Sequence, residues 1–226
     1  MGVRTALADG LSFHGVVLCG GQSRRMGQDK ALIEIGGRAM ARIAADALLG
    51  AGASSICAIG GDAAALARWD LPVVADQYPG EGPLGALLSA FGGLCPLPDH
   101  RGAPASSNAL IMVLTCDLPH VDAAVLTPVL SALRARPDAA VAAPILGGRV
   151  QLLSAAYRPM LVREAAQQAF DRGERSVRAA LAGLVVTEVT LAPTHRWRLD
   201  DADTPDRLPA QAGLDDRSAE LSGWQR

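Results

Sequence analysis

Half of the 226 residues are hydrophobic and only 4% aromatic, so the core must be built mainly from Ala, Val, Leu and Ile. A net charge of −2 gives no overall basic field for nucleic acid or a membrane surface, so any cationic site must be local. No apolar run reaches the roughly 20 residues that span a bilayer, which excludes a membrane-embedded helix on sequence grounds.

The opening segment MGVRTALADG has no long apolar stretch and does not read as a signal peptide. The four cysteines (Cys19, Cys57, Cys95, Cys116) are scattered without a Cys-x-x-Cys pair and read as free thiols, so a cytoplasmic protein is expected. HGVVLC (14–19) reads as a buried strand and runs into the glycine- and arginine-rich loop LCGGQSRRMGQDK (18–30). ALIEI (31–35) reads as a short strand, AMARIAADALLGAG (39–52) as a helix closed by glycine, and SSICAIG (54–60) as a second buried strand. DAAALARW (62–69) reads as a short helix and LPVVAD (71–76) as a strand; after QYPGEG, Pro83 opens a helix that runs to about Gly92.

CPLPDHRGAPASSN (95–108) reads as a surface loop, and ALIMVLTCD (109–117), the most continuous apolar run, as a central parallel strand. A helix (122–135), a strand DAAVAAPI (138–145), a Gly147-Gly148 turn and a strand RVQLLSAAY (149–157) follow. Two helical stretches (159–171 and 175–182) lead to the strand LVVTEVTL (184–191), then to RWRLDD (196–201) and a short helix opened by Thr204-Pro205. Strands alternating with helices predict a three-layer α/β/α domain around a mostly parallel sheet.

The loop after the first strand carries the chemistry. It is not a P-loop, because Ala31 follows Lys30 where a hydroxyl is required, and it lacks the Gly-x-Gly-x-x-Gly dinucleotide spacing. The shared physics remains: Gly20 and Gly21 let backbone N–H groups approach phosphate oxygens, and Arg24, Arg25 and Lys30 add positive charge. Lys30 is the single lysine among 21 basic residues. A compact, mobile ammonium suits a phosphate moving through a reaction, where arginine's rigid fork prefers fixed geometry. Asp117, ending the most buried strand, reads as a Mg²⁺ ligand, with capping of the next helix as the competing role; Asp122 suits that cap better.

Leu18 to Lys30 resembles the Leu-Ala-Gly-Gly…Arg-Met-Gly…Asp-Lys signature of molybdenum cofactor guanylyltransferases, within the nucleotidyltransferase superfamily. The resemblance continues in GPLGALLSAF (82–91), TCDLP (115–119), GERSVRAAL (173–181) and LDDADTPDRL (199–208). It implies one Rossmann-like nucleotidyltransferase domain over 1–208; the polar composition of 209–226 reads separately as a disordered tail. The resemblance also implies guanylyl transfer from Mg²⁺-GTP to a molybdopterin phosphate, with Arg25, Lys30 and Asp117 catalytic. Nucleotide contacts would come from Leu18, Cys19, Gly20, Gly21, Lys30, Asp76 and Asp117, and metal ligands from Asp117 and Asp201. Asp76 has a turn or capping role as its competitor. Where many guanylyltransferases resemble Asn-x-Asn-Thr-Pro, this chain has Asp201-Ala-Asp203-Thr-Pro.

Arg149 and Gln151 occupy a segment that lies near the acceptor in relatives, with packing or solvated roles equally open. Transient contact with molybdoenzymes or cofactor-insertion proteins is a further expectation; nucleic acid and membrane partners are not. Cytidylyl transfer, transfer to a sugar phosphate, and a non-catalytic molybdopterin or nucleotide carrier stay open as alternatives.

Overall fold

A computed structural model describes residues 12–20, 29–92 and 109–202. Gly21 and Arg25, the 95–108 loop, the Thr204-Pro205 helix and the polar tail lie outside the described residues. The elements in order are β1 (Phe13–Leu18), β2 (Glu34–Ile35), β3 (Arg38–Ala39), α1 (Met40–Gly50), β4 (Ser55–Ile59), α2 (Ala63–Ala67), β5 (Val73–Val74) and α3 (Gly82–Phe91). Then come β6 (Leu110–Thr115), α4 (Ala123–Ala135), β7 (Val141–Leu146), β8 (Arg149–Val150), β9 (Ala155–Tyr157), α5 (Pro159–Asp171), α6 (Val177–Ala180) and β10 (Val186–Val189).

The main sheet runs β10-β7-β9-β6-β1-β4-β5, with β8 added on β7. Along that path β9 lies antiparallel between β6 and β7, while the β10–β7, β6–β1, β1–β4 and β4–β5 pairs are parallel. Both faces are covered, which is why the strand sequences read as unbroken apolar runs. Side chains still alternate by face. Phe13, Val17, Ile56, Ala58, Leu110, Met112 and Leu114 pack with α1, α2 and α4; Val16, Leu18, Cys57, Ile59, Ile111 and Val113 pack with α3, α5 and α6. The three-layer α/β/α architecture with a mostly parallel sheet is therefore present.

Small residues set how closely these layers approach. Gly15 on β1 faces Leu48 of α1, whose Cβ would lie only 2.9 Å from any Cβ placed there. The residues of α1 against the sheet, Ala41, Ala44, Ala45, Ala47 and Leu48, recur at helical spacing and four of the five are alanine.

Two local expectations are corrected. ALIEI is not one strand: a 3-10 turn at Lys30–Leu32, capped by Asp29, precedes the two-residue β2, which pairs with β3 in a separate ribbon. RVQLLSAAY is interrupted after β8: the Gln151 N–H still bonds the Pro144 carbonyl (2.8 Å) in the β7–β8 register, but a turn closed by the Ser154 N–H on the Gln151 carbonyl (3.0 Å) follows before β9 resumes antiparallel pairing with β7. RWRLDD falls largely within a 3-10 segment, Pro193–Leu199, packed against α4. The thiols also differ from expectation: Cys19 and Cys116 are free, whereas Cys57 is disulfide-bonded.

Candidate active site

β1 lies at the centre of a register that stacks strand ends. Leu18 pairs with Ile59 on one side and with Thr115 on the other, and Ile59 in turn pairs with Val74. The residues that follow these ends therefore gather on one sheet edge: Cys19-Gly20, Gly60-Gly61, Cys116-Asp117 and Ala75-Asp76. Backbone bonds hold them there, from Cys19 N to Ile59 O (3.0 Å), Gly60 N to Val74 O (3.0 Å) and Cys116 N to Leu18 O (3.2 Å). The carboxyl edge of a parallel sheet is where open α/β folds bind ligands.

Lys30 reaches this edge through its own turn. The Asp29 carboxylate accepts the Ala31 N–H at 3.0 Å and Ala31 is fully buried, which fixes the start of the 3-10 turn. The Lys30 ammonium then lies 3.5 Å from Asp117 Oδ2, with side chains only 16% and 21% exposed. An ion pair this sheltered is screened far less than a surface pair.

Asp117 is also tied to the chain that carries Asp201, since the Ala202 N–H donates to the Asp117 carbonyl at 2.9 Å. Ala202 is fully buried with Ile35 and Met40, so this segment is anchored beside β6 while Asp201 itself is exposed. Among the described residues no group of three or more His, Cys, Asp or Glu could hold a metal. Mg²⁺ is commonly held by one or two hard carboxylates completed by substrate phosphates, so a site need not show three protein ligands.

Asp76 divides its two oxygens between jobs. Oδ1 accepts the Tyr78 N–H (3.0 Å) and the Ser89 hydroxyl (2.7 Å), so the turn role is real. Oδ2 faces Gly20, 3.6 Å from where a Cβ on that glycine would stand.

The sequence did not single out Gly60 and Gly61. Both have positive φ (72° and 86°), and a Cβ on Gly61 would meet Leu66 Cδ1 at 3.0 Å and the Cys19 Cβ at 3.1 Å. They let the β4 end lie flat against Cys19 and Gly20. The signal was visible as a Gly-Gly pair directly after a strand, but it merged with the strand reading.

The Cys19 thiol is pushed well above the usual cysteine range by its hydrogen bond with the Cys116 thiol and by burial. It is a neutral filler. Asp122, as expected, caps α4 by accepting the Ala124 N–H at 3.1 Å, and it also pairs with Arg198. Glu81, just before α3, meets Arg175 of the GERS segment at 2.6 Å, and that guanidinium lies 4.0 Å over the Phe170 ring. His14 is buried and bonds Ser55 Oγ at 2.7 Å, while His120 packs edge-on against Trp197. Ser176 caps α6. Arg149 and Gln151 belong to the β7–β8 hairpin, and β7 is separated from β6 by β9.

The family of MobA-like NTP transferase domains matches residues 15–185. The molybdenum cofactor guanylyltransferase of Xanthomonas euvesicatoria pv. vesicatoria is 31% identical over 196 residues, covering 85% of this chain and 90% of that protein. A probable molybdenum cofactor guanylyltransferase of Opitutus terrae is 29% identical over 203 residues, covering 88% and 94%. Among solved structures, the molybdopterin-guanine dinucleotide biosynthesis protein A of Archaeoglobus fulgidus superposes with a TM-score of 0.65 at 18% identity, covering 93% of this chain and 98% of that one. The 2-C-methyl-D-erythritol 4-phosphate cytidylyltransferase of Thermus thermophilus superposes at 0.57 and 18% identity, covering 85% and 94%. At such identities the two structures speak for the fold alone. The family match over most of the chain and the full-length relative decide the rest: this chain belongs to the MobA-like NTP transferase family and is a nucleotidyltransferase.

Proposed function

We propose that the protein transfers GMP from Mg²⁺-GTP to the terminal phosphate of molybdopterin, releasing pyrophosphate. The observation that carries this reading is the convergence of Lys30, Asp117 and Gly20 on one sheet edge, with cation and carboxylate 3.5 Å apart. The names of the full-length relatives supply the guanylyl donor and the molybdenum cofactor acceptor.

An acceptor phosphate oxygen would attack the α-phosphorus, forming a new P–O bond as the bond to the pyrophosphate oxygen breaks. The proteins of such reactions need no covalent intermediate; positioning and charge stabilisation supply the rate. In this chain Gly20 presents backbone close to the phosphates and Lys30 offsets charge that builds on the departing pyrophosphate. Asp76 Oδ2 faces Gly20 from the opposite side and is available to a donor on the nucleotide. Asp117 and Asp201 would hold Mg²⁺, which when bound neutralises phosphate charge. Arg25 and Gly21, as neighbours of these groups in sequence, belong to the same proposed phosphate grip.

The test is incubation of purified protein with Mg²⁺, molybdopterin and each of the four nucleoside triphosphates, following pyrophosphate. Release with GTP alone is expected. Release with CTP in its place would move the assignment to cytidylyl transfer, and binding without release would make the protein a carrier.

A further inference from the structure

Ser89 is fully buried within α3, where an alanine would suit the surrounding core of Leu84, Leu87 and Leu88 at lower desolvation cost. Its hydroxyl is instead fully engaged. It donates to Asp76 Oδ1 at 2.7 Å, with the Gly85 carbonyl of its own helix 3.1 Å away, and accepts the Gln77 N–H at 2.9 Å. Together with the Tyr78 N–H on the same Oδ1, these bonds fix one carboxylate oxygen from behind. The plane and rotamer of the carboxylate are thereby set, and the other oxygen, Oδ2, is left facing Gly20.

We propose that Ser89 is a positioning residue for nucleotide binding: by clamping Oδ1, it aims Asp76 Oδ2 across Gly20 at the bound nucleotide. The inference rests on the functional reading above, which places the nucleotide against Gly20 and Asp76. Two features support function over packing alone. The clamp acts on a charged acceptor, the strong class of hydrogen bond. It also joins α3 to the residues after β5, both of which border the sheet edge that collects Lys30 and Asp117. Ser89 itself faces no substrate and acts only through Asp76.

The experiment is a double-mutant cycle on the full chain, measuring the KM for GTP, kcat, and equilibrium binding of Mg²⁺-GTP for the wild type, Ser89→Ala, Asp76→Ala and the double variant. Loss of a bond to a charged group predicts that Ser89→Ala raises the KM and Kd for GTP about tenfold or more, with kcat little changed. In the Asp76→Ala background, Ser89→Ala should add nothing, because the carboxylate it aims is gone. An unchanged KM, or a loss that is additive with Asp76→Ala, overturns the proposal in favour of a packing role.

If Ser89→Ala does not fold, Ser89→Cys keeps the side-chain shape, slightly enlarged, with a much weaker donor. A KM between wild type and Asp76→Ala supports the clamp, and a wild-type KM overturns it. Failure of the wild type itself to bind or turn over GTP overturns the functional reading, and the Ser89 assignment with it. Normal wild-type activity with an additive cycle removes the Ser89 role alone.

Discussion

Lys30 Nζ and Asp117 Oδ2 lie 3.5 Å apart, although one belongs to a turn after β1 and the other to the end of β6. The strands lie side by side in parallel register, so the chain leaves both at the same edge, and the 3-10 turn at Lys30–Leu32 brings Lys30 back to it. The pair belongs to the proposed phosphate site.

Replacing Lys30 by alanine removes the sheltered cation beside Asp117. Turnover should fall about 100-fold or more, the scale of losing one preorganised charge donor, while the protein remains folded. Steady-state kinetics with a circular dichroism control reads the outcome; near-normal turnover in a folded Lys30→Ala protein would take Lys30 out of the mechanism.

Asp117→Asn keeps the shape of the side chain but removes its negative charge. Hard divalent cations depend on that charge, so the Mg²⁺ dependence of activity should be lost or moved to much higher Mg²⁺. A Mg²⁺ titration of initial rates checks this, and an unaltered titration curve argues against Asp117 as a ligand.

Gly61→Ala puts a side chain on a residue with φ of 86°, against Leu66 and the Cys19 Cβ. Stability should drop by about 1–3 kcal/mol, the usual cost of a strained backbone position. Urea unfolding measures it, and a change within error would mean the β4 end relaxes away from Cys19 freely.

Cys19 and Tyr157 make the fold sensitive to alkali. The Cys116 hydrogen bond and burial raise the Cys19 thiol well above its ordinary range, and burial raises the Tyr157 hydroxyl, which donates to the Leu152 carbonyl, above its own. Both stay protonated in the folded chain, whereas the unfolded chain releases these protons from roughly pH 8.5 and pH 10. Their contribution is complete below those values and is lost as pH rises above them toward the folded values. The melting temperature should therefore decline above about pH 9, and less steeply in Cys19→Ala and Tyr157→Phe. Scans from neutral to alkaline pH decide it; identical slopes for wild type and variants would contradict the assignment.

Much of the architecture was legible because it rests on short-range pattern. β1, β4 and β6 are runs such as VVL and IMVL that only a sheet covered on both faces can bury, and α1, α4 and α5 carry helical apolar spacing, with a cap at the start of α4 and Pro at the start of α5. Where tertiary contacts overrode local pattern, the reading failed. RVQLLSAAY looks like one strand, but a turn closed by the Ser154 N–H on the Gln151 carbonyl splits it into the short β8 on β7 and a β9 that fills the place between β6 and β7, antiparallel to both.

By itself the sequence determined the α/β class, the family, and a cationic glycine loop whose single lysine stands apart among arginines. Only the tertiary structure decided which acidic residue that lysine meets, that Gly60 and Gly61 lie against Cys19 and Gly20, and that Ser89 holds Asp76 from behind. The physical reason is distance along the chain. Spacing and propensity act over a turn or a strand, whereas parallel register between β1, β4 and β6 brings together residues that no local signal connects.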